Sequence, residues 1–193
     1  MSTSTTSVNR INQAMINQAS EKTLPKRLDL NKWQDTGFFW QGNLPLSSFS
    51  RLANLCDDGD ATDVVCQLSC TLKKSGQILW LSFSANANLP MQCQRCLEPV
   101  DVILDKSHRL ALLTDNTQLS AVPEQDHVLL ADLPDYDEKE QMLPLAMLLE
   151  DELLLDLPLS PKHEDCKVRL QQVGELPKVK MDNPFAVLAT LKN

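Results

Sequence analysis

Glycine is scarce in this chain, with five residues in 193. No Gly-rich loop that cradles phosphate can be assembled from them, which sets aside P-loop and dinucleotide-binding chemistry. Long apolar runs are missing too: nothing approaches the ~20 apolar residues that a membrane-spanning helix needs. Met1 to Glu21 is rich in Ser, Thr, Asn and Gln, with neither an apolar signal core nor a cleavage site. A transit peptide would be richer in arginine than this segment, which has Arg10 alone, and only a weak amphipathic pattern (Val8, Ile11, Met15, Ile16) runs through it. The expected setting is therefore the reducing cytoplasm, with no membrane partner. There, six cysteines read as core residues or metal ligands rather than disulfides.

What is present is ordinary in bulk and uneven in detail. Hydrophobic residues make up 42% and charged residues 23%, as in a globular chain able to build one substantial core. The formal charge is −8, and it is concentrated: residues 114–156 hold twelve acidic side chains and one basic one. The flanks together are mildly basic. Wholesale attraction to nucleic acid is not expected from such a balance. A local basic face is left open, drawn from Lys73-Lys74, Lys106, Arg109, Lys162, Lys167 and Arg169.

Periodicity predicts an α+β protein, mainly antiparallel sheet with a few flanking helices; an open sheet and a barrel-like closure both satisfy the pattern. Residues 1–22 read as a flexible tail and 23–193 as a single domain. Leu24–Leu30 and Phe38–Leu46 predict short strands with a helical turn or two between them. Leu46–Leu55 predicts a helix capped by Ser47 or Ser48, with Phe49, Leu52 and Leu55 on one face. Val64 to Lys73 and Leu79 to Leu89 alternate cleanly across a turn at Lys74-Ser75-Gly76, the signature of a long hairpin with one buried face. Val100 to Leu112 continues the alternation. Residues 114–141 read as an acidic, partly disordered excursion with a short strand near His127. Pro144 opens a helix to about Leu155. Leu157–Pro161 is a stiff connector, and Asn183-Pro184 starts a short helix bearing Phe185, Leu188 and Leu191.

Two motifs carry chemistry: Cys93-Gln94-Arg95-Cys96, between two predicted strands, and His163-Glu164-Asp165-Cys166. Each spaces two soft ligands so that one turn presents both. Together Cys93, Cys96, His163 and Cys166 supply three thiols and an imidazole, a set that one structural Zn2+ accepts in tetrahedral geometry. A closed set of four leaves no open position for catalysis. The pairs stand 66 residues apart. Closing a loop of that length costs only ~1.2 kcal/mol more than closing one of about 17 residues, against 10–16 kcal/mol (on the order of) for structural zinc in small peptides. Length therefore permits the site without diagnosing it. Two other readings stay open for Cys93 and Cys96: thiols that merely pack, and a redox dithiol, although no helix follows to lower a thiol pKa. Arg95, between the thiols, offsets their charge, reaches toward an RNA phosphate or base, or is simply a turn arginine; the sequence leaves all three open.

Cys66 and Cys70, about 13 Å apart along one strand, read as core. Glu150, Asp151 and Glu152 read as a solvated helix face rather than an acid–base or cation site. His108 and His127 have no nucleophile arranged around them, and no catalytic constellation is visible.

Met91–Leu97, Leu148–Pro158, His163–Cys166 and Asn183–Lys192, in that order, resemble the bacterial YceD family, named for accumulation of large-subunit ribosomal RNA. The resemblance runs from about Leu24 to Lys192. It implies a non-enzymatic cytoplasmic protein supporting synthesis, processing or stability of 23S ribosomal RNA, with metal or nucleic-acid binding. Its partner is then 23S RNA or a pre-large-subunit particle, and the implied ligands are the same four residues. A different class of reading is a protein-binding adaptor, in which the acidic segment or the Phe185 helix docks a ribosomal protein or processing factor without touching RNA. A zinc hydrolase relying on Glu150 or Glu152 is a distant third.

Overall fold

A computed structural model describes residues 23–56, 63–122 and 124–168 of the chain. The expected tail at 1–22, the helix at Asn183-Pro184 and the side chain of Arg169 lie outside the described residues.

The elements run β1 (Leu28–Asp29), α1 (Leu30–Trp33), β2 (Phe38–Pro45), α2 (Ser50–Ala53), β3 (Val65–Ser75), β4 (Ile78–Gln92), β5 (Pro99–Leu113), β6 (His127–Leu129), β7 (Met142–Leu143) and α3 (Leu145–Leu155). Short 3-10 turns stand at Leu46–Ser48, Asn116–Ala121 and Leu130–Asp132. Five strands form one sheet in the order β2-β3-β4-β5-β6, and β1 pairs with β7 in a separate two-stranded ribbon. All pairings are antiparallel except that of β5 with β6. Among the described residues the five-stranded sheet stays open, with β2 and β6 as its edges; it does not close into a barrel.

Strict alternation gives the sheet two unlike faces. On one, the cross-strand row Phe38, Leu72, Leu81, Leu110 and the row Trp40, Cys70, Phe83, His108 point into the core. Burial pushes the thiols of Cys66 and Cys70 up to about 11 and about 12, as inert core groups require. Gly42 is needed on this face, because a Cβ there would stand 2.9 Å from the Trp40 ring. The β3–β4 hairpin turns through Gly76, whose φ of 63° is a left-handed conformation that glycine adopts without a Cβ penalty. On the other face the rows read Gln41, Ser69, Ser84, Ser107 and Asn43, Gln67, Asn86, Asp105, almost wholly polar and uncharged.

Several local expectations give way to tertiary contacts. The first strand shrinks to Leu28–Asp29, because the Asp29 carboxylate accepts from the Lys32 N–H at 3.1 Å and starts α1 at once. The helix expected over 46–55 is instead a 3-10 turn followed by the single turn α2, and neither serine caps it. Phe49 and Leu52 are buried, but Leu55 is 48% exposed. The cap comes from far away. Glu150 on α3 accepts from the backbone N–H of Arg51 at 2.6 Å and of Leu52 at 3.2 Å, and from Arg51 Nε at 3.1 Å. Glu150 is therefore not a solvated acid; it is 7% exposed, the one buried charged residue among those described. Asp151, half-buried, completes the clamp on Arg51. Residues 114–141 hold β6 and two 3-10 turns, with Val122 and Leu130 buried.

Leu145, Leu148, Leu149 and Leu153 seat α3 on the sheet. Its end is pinned by His108, whose Nε2–H donates to Asp156 at 2.6 Å while its ring stacks on Phe83, centroids 4.9 Å apart. That pin sets where the chain leaves toward residues 157–168. Removing a buried carboxylate that holds two backbone donors and a guanidinium leaves all three short of a partner. Glu150→Ala should lower stability by roughly 2–4 kcal/mol, whereas Asp151→Ala, more exposed, should cost less than about 1 kcal/mol. Urea unfolding monitored by tryptophan fluorescence checks both; equal midpoints for the two variants would remove Glu150 from this role.

Candidate metal centre

The β4–β5 hairpin ends in a knuckle. Cys93 N–H donates to the Glu98 carbonyl and Leu97 N–H to the Cys93 carbonyl, both at 2.9 Å, so residues 94–97 form a closed loop at the end of the ladder. Leu97 takes a left-handed conformation, φ 63°, to close it. A leucine there costs roughly 1–2 kcal/mol relative to glycine, and no sequence rule would have placed that turn residue. The knuckle tucks both thiols inward: Cys93 and Cys96 are buried.

The second motif reaches the knuckle through the stiff Leu157–Pro161 connector. Pro161 is buried, and its carbonyl accepts from the Gln94 N–H at 2.8 Å. Arg95 then clasps the incoming turn, with Nη2 donating to the carbonyls of His163 at 2.6 Å and Glu164 at 2.9 Å, and Nε to Cys166 Sγ at 2.9 Å. Through its bond to Cys166, Arg95 sets its charge against a thiol. Its grip on the carbonyls was not foreseeable from residue types.

These bonds bring all four expected side chains together. The donor atoms of Cys93, Cys96, His163 and Cys166 lie within 4.8 Å of one another, with Cys93 Sγ 3.5 Å from Cys166 Sγ and Cys96 Sγ 3.4 Å from His163 Nδ1. Tetrahedral edges around a metal held at about 2.3 Å from sulfur and about 2.0 Å from nitrogen are roughly 3.5–3.8 Å. The spacing therefore fits such an ion. The imidazole is set for ligation as well. His163 Nε2 lies 3.0 Å from the Pro99 carbonyl, which can only accept, so the hydrogen sits on Nε2 and the Nδ1 lone pair faces the thiols.

The cluster's electrostatics are those of soft anions held together by donors. Burial opposes ionisation of Cys93, but N–H groups of Cys96 and Arg95 and the neighbouring His163 bring it down to about 5. Burial opposes Cys166 too, yet the Arg95 guanidinium holds it below its ordinary value. Cys96 receives a backbone donor at Glu98, but burial and the Cys93 and Cys166 sulfurs push it up. His163 is raised by its sulfur neighbours, Cys166 and Cys93.

A family model described as "Large ribosomal RNA subunit accumulation protein YceD" matches residues 81–192. The chain belongs to the YceD family. The matched span begins inside β4, later than the Leu24 at which the resemblance starts, and takes in all four clustered ligands and residues 114–141. A protein of Haemophilus influenzae named "Large ribosomal RNA subunit accumulation protein YceD" is 35% identical over 111 residues. That alignment covers 54% of this chain and 60% of the relative's length. No solved structure matches the chain. Among the described residues no helix is long and apolar enough to cross a membrane.

In metal-free protein at pH 7, Cys166 should be the first described cysteine alkylated by iodoacetamide. It is half-exposed and shifted toward the thiolate, whereas Cys66 and Cys70 are buried and shifted the other way. Its labelling should slow as acid reprotonates it. Peptide mass spectrometry reads the order, and early labelling of Cys66 or Cys70 would contradict this placement.

Proposed function

We propose that this chain is a non-enzymatic factor supporting accumulation of 23S ribosomal RNA during large-subunit biogenesis in the cytoplasm, built around one structural Zn2+. The observation that carries it is the convergence of three sulfurs and one imidazole nitrogen within 4.8 Å, inside the span that matches the family. Three soft thiolates and an imidazole select zinc over hard cations such as Mg2+ or Ca2+. Four protein donors fill a tetrahedron, so the ion holds the knuckle and the 161–168 segment together and has no position left for substrate. Glu150, the one buried acid among the described residues, is engaged in capping α2.

The adaptor reading draws on a different feature. Leu155 at the end of α3, Leu159 in the connector and Leu97 in the knuckle are 79%, 105% and 56% exposed. Apolar side chains of this kind suit a protein partner, such as a ribosomal protein or processing factor. Ultraviolet crosslinking in cells separates the two: RNA adducts favour direct contact, protein adducts alone favour the adaptor.

Two measurements test the main reading. Protein purified untagged and without chelator should hold one equivalent of zinc, lost in both Cys93→Ser and Cys166→Ser. Adding Zn2+ to metal-free protein at pH 7 should release protons, because Cys96 is raised and must ionise to ligate. Affinity should rise with pH and fall steeply as pH drops toward about 5, where Cys93 takes up its proton. In cells, depletion should lower the 23S-to-16S ratio. An unchanged ratio would sink the biogenesis role, and absence of zinc would sink the metal.

A further inference from the structure

Beyond the small apolar cluster of Ile78, Ala111, Leu113 and Val122 at one end, the face of the sheet turned away from the core carries no packed layer among the described residues. Beside the polar rows already described, the next row carries Phe39, Thr71, Ser82 and Arg109, and the row beyond it Lys73 and Trp80. Two depressions of about 330 and 410 Å3 lie on this face and share Ser69 and Ser84, so together they form a shallow trough across it. Four strands at about 4.8 Å spacing make the platform roughly 14 Å wide.

Its chemistry is unusual for an exposed sheet. Open faces normally carry interleaved charges, but here hydroxyls and amides dominate. Asp105, opposite Asn86, lines the far end of the trough; from the Gln41 row to the Trp80 row, Lys73 and Arg109 are the sole charged residues of β2 to β5 pointing outward, both basic, in a chain of net charge −8. Arg109 is not a loose surface cation. Its guanidinium lies over the Trp80 ring, 4.1 Å from the centroid, while Trp80 is backed by the small apolar cluster of Ile78, Ala111, Leu113 and Val122. Arg109 is exposed on its other side. A planar cation fixed flat on an aromatic ring presents a stacking surface for a base.

We propose that this face binds single-stranded RNA. A base stacks on the outer plane of Arg109, Lys73 meets a backbone phosphate, and Asn86 and the Ser69–Ser84 hydroxyl pair, bonded to each other at 2.8 Å, offer their remaining hydrogen-bonding positions to exposed base edges along the trough. The inference rests on the ribosomal-RNA reading above, and names the surface through which that role is exercised. It is independent of the thiol knuckle, which lies at the far end of the β4–β5 hairpin. A duplex fits poorly: its base edges are paired, and two basic groups neutralise too little of its phosphate charge.

The test uses full-length protein and a fluorescein-labelled mixed-sequence RNA of about 12 nucleotides, within the site sizes of such platforms. Fluorescence anisotropy should show the single strand bound at least about tenfold tighter than the same strand annealed to its complement. Arg109→Ala should weaken binding about tenfold or more. Arg109→Lys should weaken it nearly as much, since it keeps the charge and loses the plane. Ser84→Glu, placing an anion in the trough, should do likewise, with circular dichroism unchanged in all three. The proposal is overturned by absence of single-strand binding, by equal binding of the duplex, by unaltered affinity in these variants, or by a sheet-face-dependent protein partner without RNA binding. If depletion leaves 23S RNA unchanged, the biogenesis reading fails. If depletion lowers 23S RNA while Arg109→Ala and Ser84→Glu restore it fully, this inference alone fails.

Discussion

The join between the knuckle at Cys93–Leu97 and the segment at Pro161–Cys166 is the constraint on which the rest of the site depends, because nothing local brings the two together. Sixty-six residues separate the paired motifs in the chain, yet four kinds of contact hold them: a backbone bond from Gln94 to Pro161, the Arg95 fork, the His163–Pro99 bond, and the cluster of soft donors. The protein-only contacts arrange the donors at near-tetrahedral spacing, so an ion entering the site has little reorganisation to impose. Loss of Arg95 would remove the guanidinium that holds the Cys166 thiol below its ordinary value, together with both bonds to the carbonyls of the incoming turn.

That join is fed by the helix behind it. Helix α3 is located by its leucine stripe, by the Glu150 cap on α2 and by the His108–Asp156 bond to β5. With the middle and the C-terminal end of α3 held, the proline-stiffened connector leaves from a defined point. Glu150 thus serves placement of the site, its carboxylate capping a helix about a hundred residues earlier in the chain. A cap supplied over such a distance couples two elements that would otherwise be marginal: α2 is a single turn and has no stability of its own.

The sheet divides labour between its faces. One face is the core; the other is a broad, nearly uncharged polar surface with a rigid Trp80–Arg109 pair at one end. The acidity of residues 114–156 sits largely outside the β2–β5 platform, so the net charge of the chain conceals a locally basic end of the sheet. Net charge is a sum over the molecule, whereas recognition depends on which side chains share a face.

How much was legible follows from how local each signal is. The long strands could be read because alternation is a two-residue signal written in the strand itself, and Cys66, Cys70 and the β3–β4 turn fell where expected. Spacing within Cys93–Cys96 and within His163–Cys166 declared two ligand pairs for the same reason. The helix over 46–55, the solvated reading of Glu150 and the length of the first strand failed because each was decided by a partner distant in the chain. Sequence by itself determined the β scaffold, the polar outer rows and the four soft donors. Only the tertiary structure decided that the two pairs share one centre, that Arg95 turns inward, and that Arg109 lies flat on Trp80. Those outcomes depend on distances between residues far apart in the chain, which no spacing along it can encode.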